Sequence, residues 1–164
     1  VTKIAILMPF LSLLISDCEC QHKLKAQNDM IDAAARGDDV NHQELLDIIA
    51  SVAKSHDEKA VKPLISLLES TKDASVANAC IMALGELGSE EAMPAIIDYA
   101  ERKPSIIRRQ AIIAARLIGS KLAAGWLMVM AHGYDDPVVR KEAQGALDVV
   151  LEKLAVHSQE ENGP

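Results

Sequence analysis

The feature that most restricts what this chain can fold into is self-similarity at a period of 31 to 32 residues. Residues 73–80 (DASVANAC) align with 104–111 (PSIIRRQA) and with 136–143 (DPVVRKEA). In the same frame Ala83 falls on Ala114 and Ala146, Leu87 on Ile118 and Val150, and Gly88-Ser89 on Gly119-Ser120. Leu64-Ile65, Ile96-Ile97 and Leu127-Met128 form a further row. Each unit therefore carries two apolar stripes at helical spacing, divided by Gly-Ser or, in the first unit, by His56-Asp57. A two-helix unit of this length cannot bury its own apolar face. Only stacking on its neighbours gives it a core, so the period implies a solenoid.

The stripes predict helices over 43–55 and 58–70, 74–87 and 90–102, and 105–118 and 121–132, preceded by an N-terminal helix near 22–36. Gly88 and Gly119 suit the position just past a helix, where the backbone turns left-handed. Asp57, Ser89 and Ser120 read as N-caps, and Asp136-Pro137 as a cap followed by proline in the first turn. No break follows Pro137 until about His157, which predicts one long helix closing the array, and residues 158–164 read as a disordered tail. The expected fold is all-α: an α-solenoid of about three helix pairs over 43–157, with a linker and N-terminal helix over 18–42.

Residues 73–97 carry the fullest motif: Asp73, Val76, Cys80 in an Ala position, Ala83-Leu84-Gly85, Leu87-Gly88, Ala92, Pro94 and Ile96-Ile97. This pattern resembles the HEAT-repeat family, in the short form shared with phycobilisome lyase-type repeats, over about 43–150. The resemblance implies the solenoid and says little about activity, because its members include scaffolds, adaptors, lyases and nucleic-acid enzymes. The family's Arg after the Val stands as Arg108 and Arg140 but is Ala77 in the second unit. Relatives of the deoxyhypusine hydroxylase type bind iron through His-Glu pairs, and none of the five histidines here is followed by Glu.

Residues 1–17 read as a signal-peptide-like segment. Lys3 precedes twelve residues, Ile4 to Ile15, that are apolar apart from Ser12 and interrupted by Pro9. Such a run is too short to cross a hydrocarbon core of about 30 Å as a helix and has the length of a signal h-region. Ile15-Ser16-Asp17-Cys18 resembles a bacterial lipobox, from which Asp17 departs because that position takes a small uncharged residue. Three readings stay open: lipidation of Cys18 with membrane anchoring, plain cleavage nearby, and a retained apolar helix docking on the solenoid. Export, to the periplasm or a membrane surface if the source is bacterial, is the expected localisation. Cys18 and Cys20 are too close together for an unstrained bridge, and Cys80 reads as a small buried thiol.

Composition narrows the function classes. Seventeen Lys and Arg against 24 Asp and Glu give a net charge of -7, which argues against a polyanion binder. Four aromatic residues are too few for base-stacking platforms. No phosphate loop, nucleophile elbow or metal-ligand spacing is legible, so neither a cofactor, a metal nor a catalytic set is expected. Two features stand out. The outward positions of the second helices are taken as Lys62, Pro63 and Ser66, then Pro94, Ala95 and Asp98, then Gly125, Trp126 and Val129. Trp126, Val129 and Met130 would thus form an apolar ridge on the concave surface, covered either by a partner or by the closing helix. Between Arg102 and Tyr134 lie six basic residues and no acidic one. Arg108, Arg109 and Arg116 share one face of a helix there. They either pair with acids of adjacent repeats or dock an acidic partner or anionic lipid headgroups. The expected function is a non-catalytic protein-interaction module or scaffold, exported. The alternative is a phycobilin lyase-type or other accessory that presents a ligand on the inner face.

Overall fold

The computed structural model describes the backbone of residues 8–102 and 105–161, and among these there are eight α-helices and no strand. They are α1 (Met8–Ala35), α2 (His42–Ser55), α3 (Val61–Ser70), α4 (Ala74–Leu87), α5 (Met93–Glu101), α6 (Ser105–Ile118), α7 (Lys121–Gly133) and α8 (Pro137–Glu161). Single 3₁₀ turns, Glu58–Ala60 and Glu90–Ala92, lead into α3 and α5. The helices form two layers. The first runs α2, α4, α6, α8 and the second α1, α3, α5, α7, with each helix packed on its predecessor in its own layer and on its neighbour across. Three complete pairs result, α2/α3, α4/α5 and α6/α7, flanked by α1 as half a unit at the start and α8 as half a unit at the end.

Local chemistry sets the boundaries. The Asp73 carboxylate accepts from the amides of Ser75 at 2.7 Å and Val76 at 3.3 Å, and Gly88 closes the same helix at φ 69°. Asn41 caps α2 through the Glu44 amide, and Ser120 caps α7 through the Ala123 amide, each at 3.1 Å. Asp57 accepts from the Lys59 amide, whereas Ser89, read as a cap, makes no side-chain cap bond. His56 fills the left-handed position after α2 at φ 52°, where the later units have Gly88 and Gly119. The arginines after the Val position act between units. Arg140 donates to the carbonyls of Tyr134 at 2.7 Å and Asp135 at 2.9 Å, and Arg108 to that of Glu101 at 3.4 Å, so each satisfies the chain just before its own helix.

The core is a continuous aliphatic seam between the layers, from Ile31 through Val52, Leu64, Ile81, Leu84, Ile96 and Leu127 to Val150. No polar or charged residue is buried among the described residues. Each fully buried Leu or Ile contributes roughly 1.5–3 kcal/mol. Small residues let the first layer close up. At Gly85 an added Cβ would lie 2.9 Å from the Ala114 backbone, so α4 and α6 meet almost main chain to main chain. Cys80 is fully buried, and burial pushes its thiol up to about 12, which makes it an inert packing residue at neutral pH.

Both ends differ from the sequence expectation. The N-terminal helix begins at Met8 and runs unbroken through the segment read as signal and linker, and only residues 1–7 of the signal-like stretch lie outside the described residues. At the other end α8 continues to Glu161, four residues into the stretch read as a disordered tail, and 162–164 lie outside the described residues. Residues 158–161 contain no Gly or Pro, so nothing local stops the helix at His157. No helix among the described residues is long and apolar enough to cross a membrane.

Candidate partner-binding site

The predicted ridge on α7 divides between two faces. Trp126 and Met130 are each 7% exposed and join Ala123 and Leu127 on the face by which α7 packs into the array, chiefly against α8. Val129 is 67% exposed. Trp126 is therefore corrected from an outward anchor to a core residue. The row it occupies is inward in the other units too: Pro63 is buried, and Ala95 is half-buried and packed on the core. The flanking rows, Lys62-Pro94-Gly125 and Ser66-Asp98-Val129, are solvent-facing as read. An exposed aliphatic face remains on α7: Leu122, Met128 and Val129, with Gly125 between them. In the aligned frame Leu122 stands where Lys59 and Glu91 stand, and Val129 where Ser66 and Asp98 stand.

The three arginines also separate. Arg108 is half-buried. Its guanidinium donates to the Tyr134 hydroxyl and lies 5.0 Å from that ring's centroid, so it ties α6 to the chain after α7. Arg109 makes a two-pronged bond to Glu142 of α8, Nε to Oε2 at 2.8 Å and Nη2 to Oε1 at 2.5 Å. Arg116 is exposed and, among the described residues, carries no ion pair. Thus Arg108 and Arg109 take the structural role, pairing with adjacent units, and Arg116 alone stays available to a partner.

Arg109 and Arg116 stand two turns apart along a groove of about 600 Å³ between α6 and α8. Its apolar lining comes from Ile112 and Ile113 of α6 and from Gly145 and Ala146 of α8. The corresponding groove between α2 and α4 is about 160 Å³ and contains Met82 and Ala53. The difference follows from two replacements in the repeat frame. Gly145 stands where Met82 and Ile113 stand, and Arg116 where Ala53 and Gly85 stand. One change removes a side chain from the joint, and the other puts a long cation where small residues let neighbouring helices close. Arg116 is among the residues singled out from the sequence, whereas Gly145 and Glu142 are not. The signal for Gly145 was present in its alignment with Met82.

Cys18 lies within α1, and its side chain is outside the described part of the structure. Among the described residues no group of three or more His, Cys, Asp or Glu is placed to hold a metal ion.

A family model described as HEAT repeats matches residues 61–148, just over half of the chain. The chain belongs to the HEAT-repeat family. The match starts at the first residue of α3 and ends within α8, so it takes in every joint at which the first-layer helices α4, α6 and α8 meet. Searches of curated proteins and of solved structures return no match. HEAT repeats generally mediate protein–protein interaction, which is consistent with a protein partner for this array.

Proposed function

We propose that this HEAT-repeat protein is a non-catalytic interaction module that works outside the cytoplasm and binds its protein partner through the solvent face of α7. The observation that carries the reading is the exchange of polar for aliphatic residues in the third unit: Leu122 and Val129 are 43% and 67% exposed at positions that are Lys59 and Glu91, Ser66 and Asp98 in the earlier units. The earlier units show what a solvated second-layer helix carries at those positions. Aliphatic side chains there lose nothing by being covered and gain on contact. Export rests on the apolar run from Ile4 to Ile15 after Lys3, and anchoring through Cys18 on the lipobox-like residues before it. The phycobilin lyase-type alternative rests on the resemblance of the repeats alone.

A photo-crosslinking amino acid placed at Val129 in the source cell tests the docking face. A covalent adduct with a discrete protein is expected, absent when the probe stands at Ser66, and lost on Leu122→Glu with helicity unchanged. No adduct at Val129 would end the reading. Intact mass of the native protein tests the compartment. A chain starting near Cys18 supports export, an added acyl mass supports anchoring, and a chain that retains residues 1–17 refutes both.

A further inference from the structure

The groove between α6 and α8 lies in the first layer and is a separate surface from the α7 face. Its floor is apolar: Ile112 and Ala146 are buried, and Ile113 is half-buried. Among the described residues that line it, the one unpaired charge is the Arg116 guanidinium, since Arg109 is held by Glu142. Gly145 opens it. A Cβ built there meets nothing within 4 Å, although glycine inside a helix costs roughly 1 kcal/mol relative to alanine. An occupant that complements these features carries an aliphatic side chain for the space over Gly145 and a carboxylate for Arg116.

We infer that this groove binds an acidic, aliphatic segment of a protein partner, with Arg116 pairing its carboxylate and the hollow over Gly145 taking its Leu-, Ile-, Val- or Met-like side chain. Charge selects this occupant over an anionic lipid surface. Lipid headgroups are held by clusters of several cations, whereas among the described residues that line the groove Arg116 is the one cation without a carboxylate partner. α6 contributes no acidic residue, so a carboxylate approaching from its side meets only attraction. The inference rests on the interaction reading above in one respect only, that the array binds protein.

The test uses the full chain and a phage-displayed library of random peptides, with the enriched peptides synthesised and their affinities measured by fluorescence anisotropy. Enriched sequences should place Asp or Glu near an aliphatic residue. The Cβ of Gly145→Met enters open space and its side chain extends into the hollow, so the variant should keep the circular dichroism of the parent, with thermal stability no lower, while weakening the peptide tenfold or more. Arg116→Glu should weaken it similarly, and exchanging the peptide's acid for Lys should restore binding to that variant. Val129→Asp alters the separate α7 face and should leave the affinity of groove-bound peptides as it is in the parent. Three results would overturn the inference: no enrichment, affinity indifferent to Gly145→Met, or a charge exchange that fails to rescue. Binding abolished by Val129→Asp instead would sink the groove and leave the interaction reading standing. Failure of the peptides together with failure of the Val129 crosslink would sink both. Sedimentation with phosphatidylglycerol vesicles that is lost in Arg116→Glu but kept in Gly145→Met would reassign Arg116 to a lipid surface and overturn the inference.

Discussion

Gly85 and Gly145 occupy helix interiors in the same layer of the array, and exchanging each for alanine should have opposite effects. In both places alanine is the better helix former by roughly 1 kcal/mol. At Gly145 nothing opposes that gain, because the new methyl enters open space. At Gly85 the methyl would sit 2.9 Å from the Ala114 Cα, 3.0 Å from its Cβ and 3.3 Å from the Leu117 Cδ1. Carbon atoms in good contact are about 3.5–4.0 Å apart, so α4 and α6 would have to separate by roughly 0.6–1 Å. The Ala114 Cα is main chain and cannot rotate away. Overpacking of this kind costs about 1–3 kcal/mol. The propensity gain is common to both variants and cancels in their difference. Gly85→Ala should therefore be about 1–3 kcal/mol less stable than Gly145→Ala, measured by urea denaturation at equal slope. A second exchange, Ala114→Gly, should recover part of the loss in the Gly85→Ala background, with a coupling of about 1 kcal/mol or more. If Gly85→Ala proves as stable as Gly145→Ala, the close approach of α4 and α6 is not what this joint depends on.

Trp126→Ala should destabilise the array by roughly 3–5 kcal/mol, and the native indole should emit at short wavelength, protected from iodide; a red-shifted, quenchable emission would contradict its burial. His56→Gly should raise stability by up to about 1 kcal/mol, since His56 holds a left-handed backbone at φ 52°, and a loss of stability in denaturation would refute this. The Ser75 amide, then the Val76 amide, holds the Asp73 carboxyl below its usual 3.8, so its contribution to stability is complete above that pH and is lost as the pH falls through the lower folded-state value. A carboxyl titration of Asp73 by NMR at or above 3.8 would show that the cap is not formed in solution.

What was legible in the sequence is what neighbours along the chain decide. The boundaries of α4 and α6 fall where the apolar stripes and the Asp73 and Gly88 signals place them, because capping and left-handed closure involve residues within a few positions of each other. The burial of Cys80 was equally plain, since the repeat frame puts it in a row of alanines. The same frame sets Arg116 apart, as a long cation aligned with Ala53 and Gly85 of the preceding units.

The site depended on relations that no local signal carries. Rows one residue apart on a helix point about 100° apart, so reading Pro63, Ala95 and Trp126 together with their outward flanking rows turned the indole to solvent. In the folded array it faces the core, as Pro63 and Ala95 of the same row do in the earlier units, and α8 packs against α7 there. The fate of the arginines was also a tertiary matter. Arg108 and Arg109 are adjacent in sequence, yet one meets Tyr134, 26 residues on, and the other Glu142, 33 residues on, through a joint that exists only once α8 is in place. The sequence by itself determined a stack of short capped helix pairs, because helix period and end chemistry are local. Only the tertiary structure decided which charges are used up inside it and which joint stays open, because those depend on the distance at which one unit comes to rest against the next.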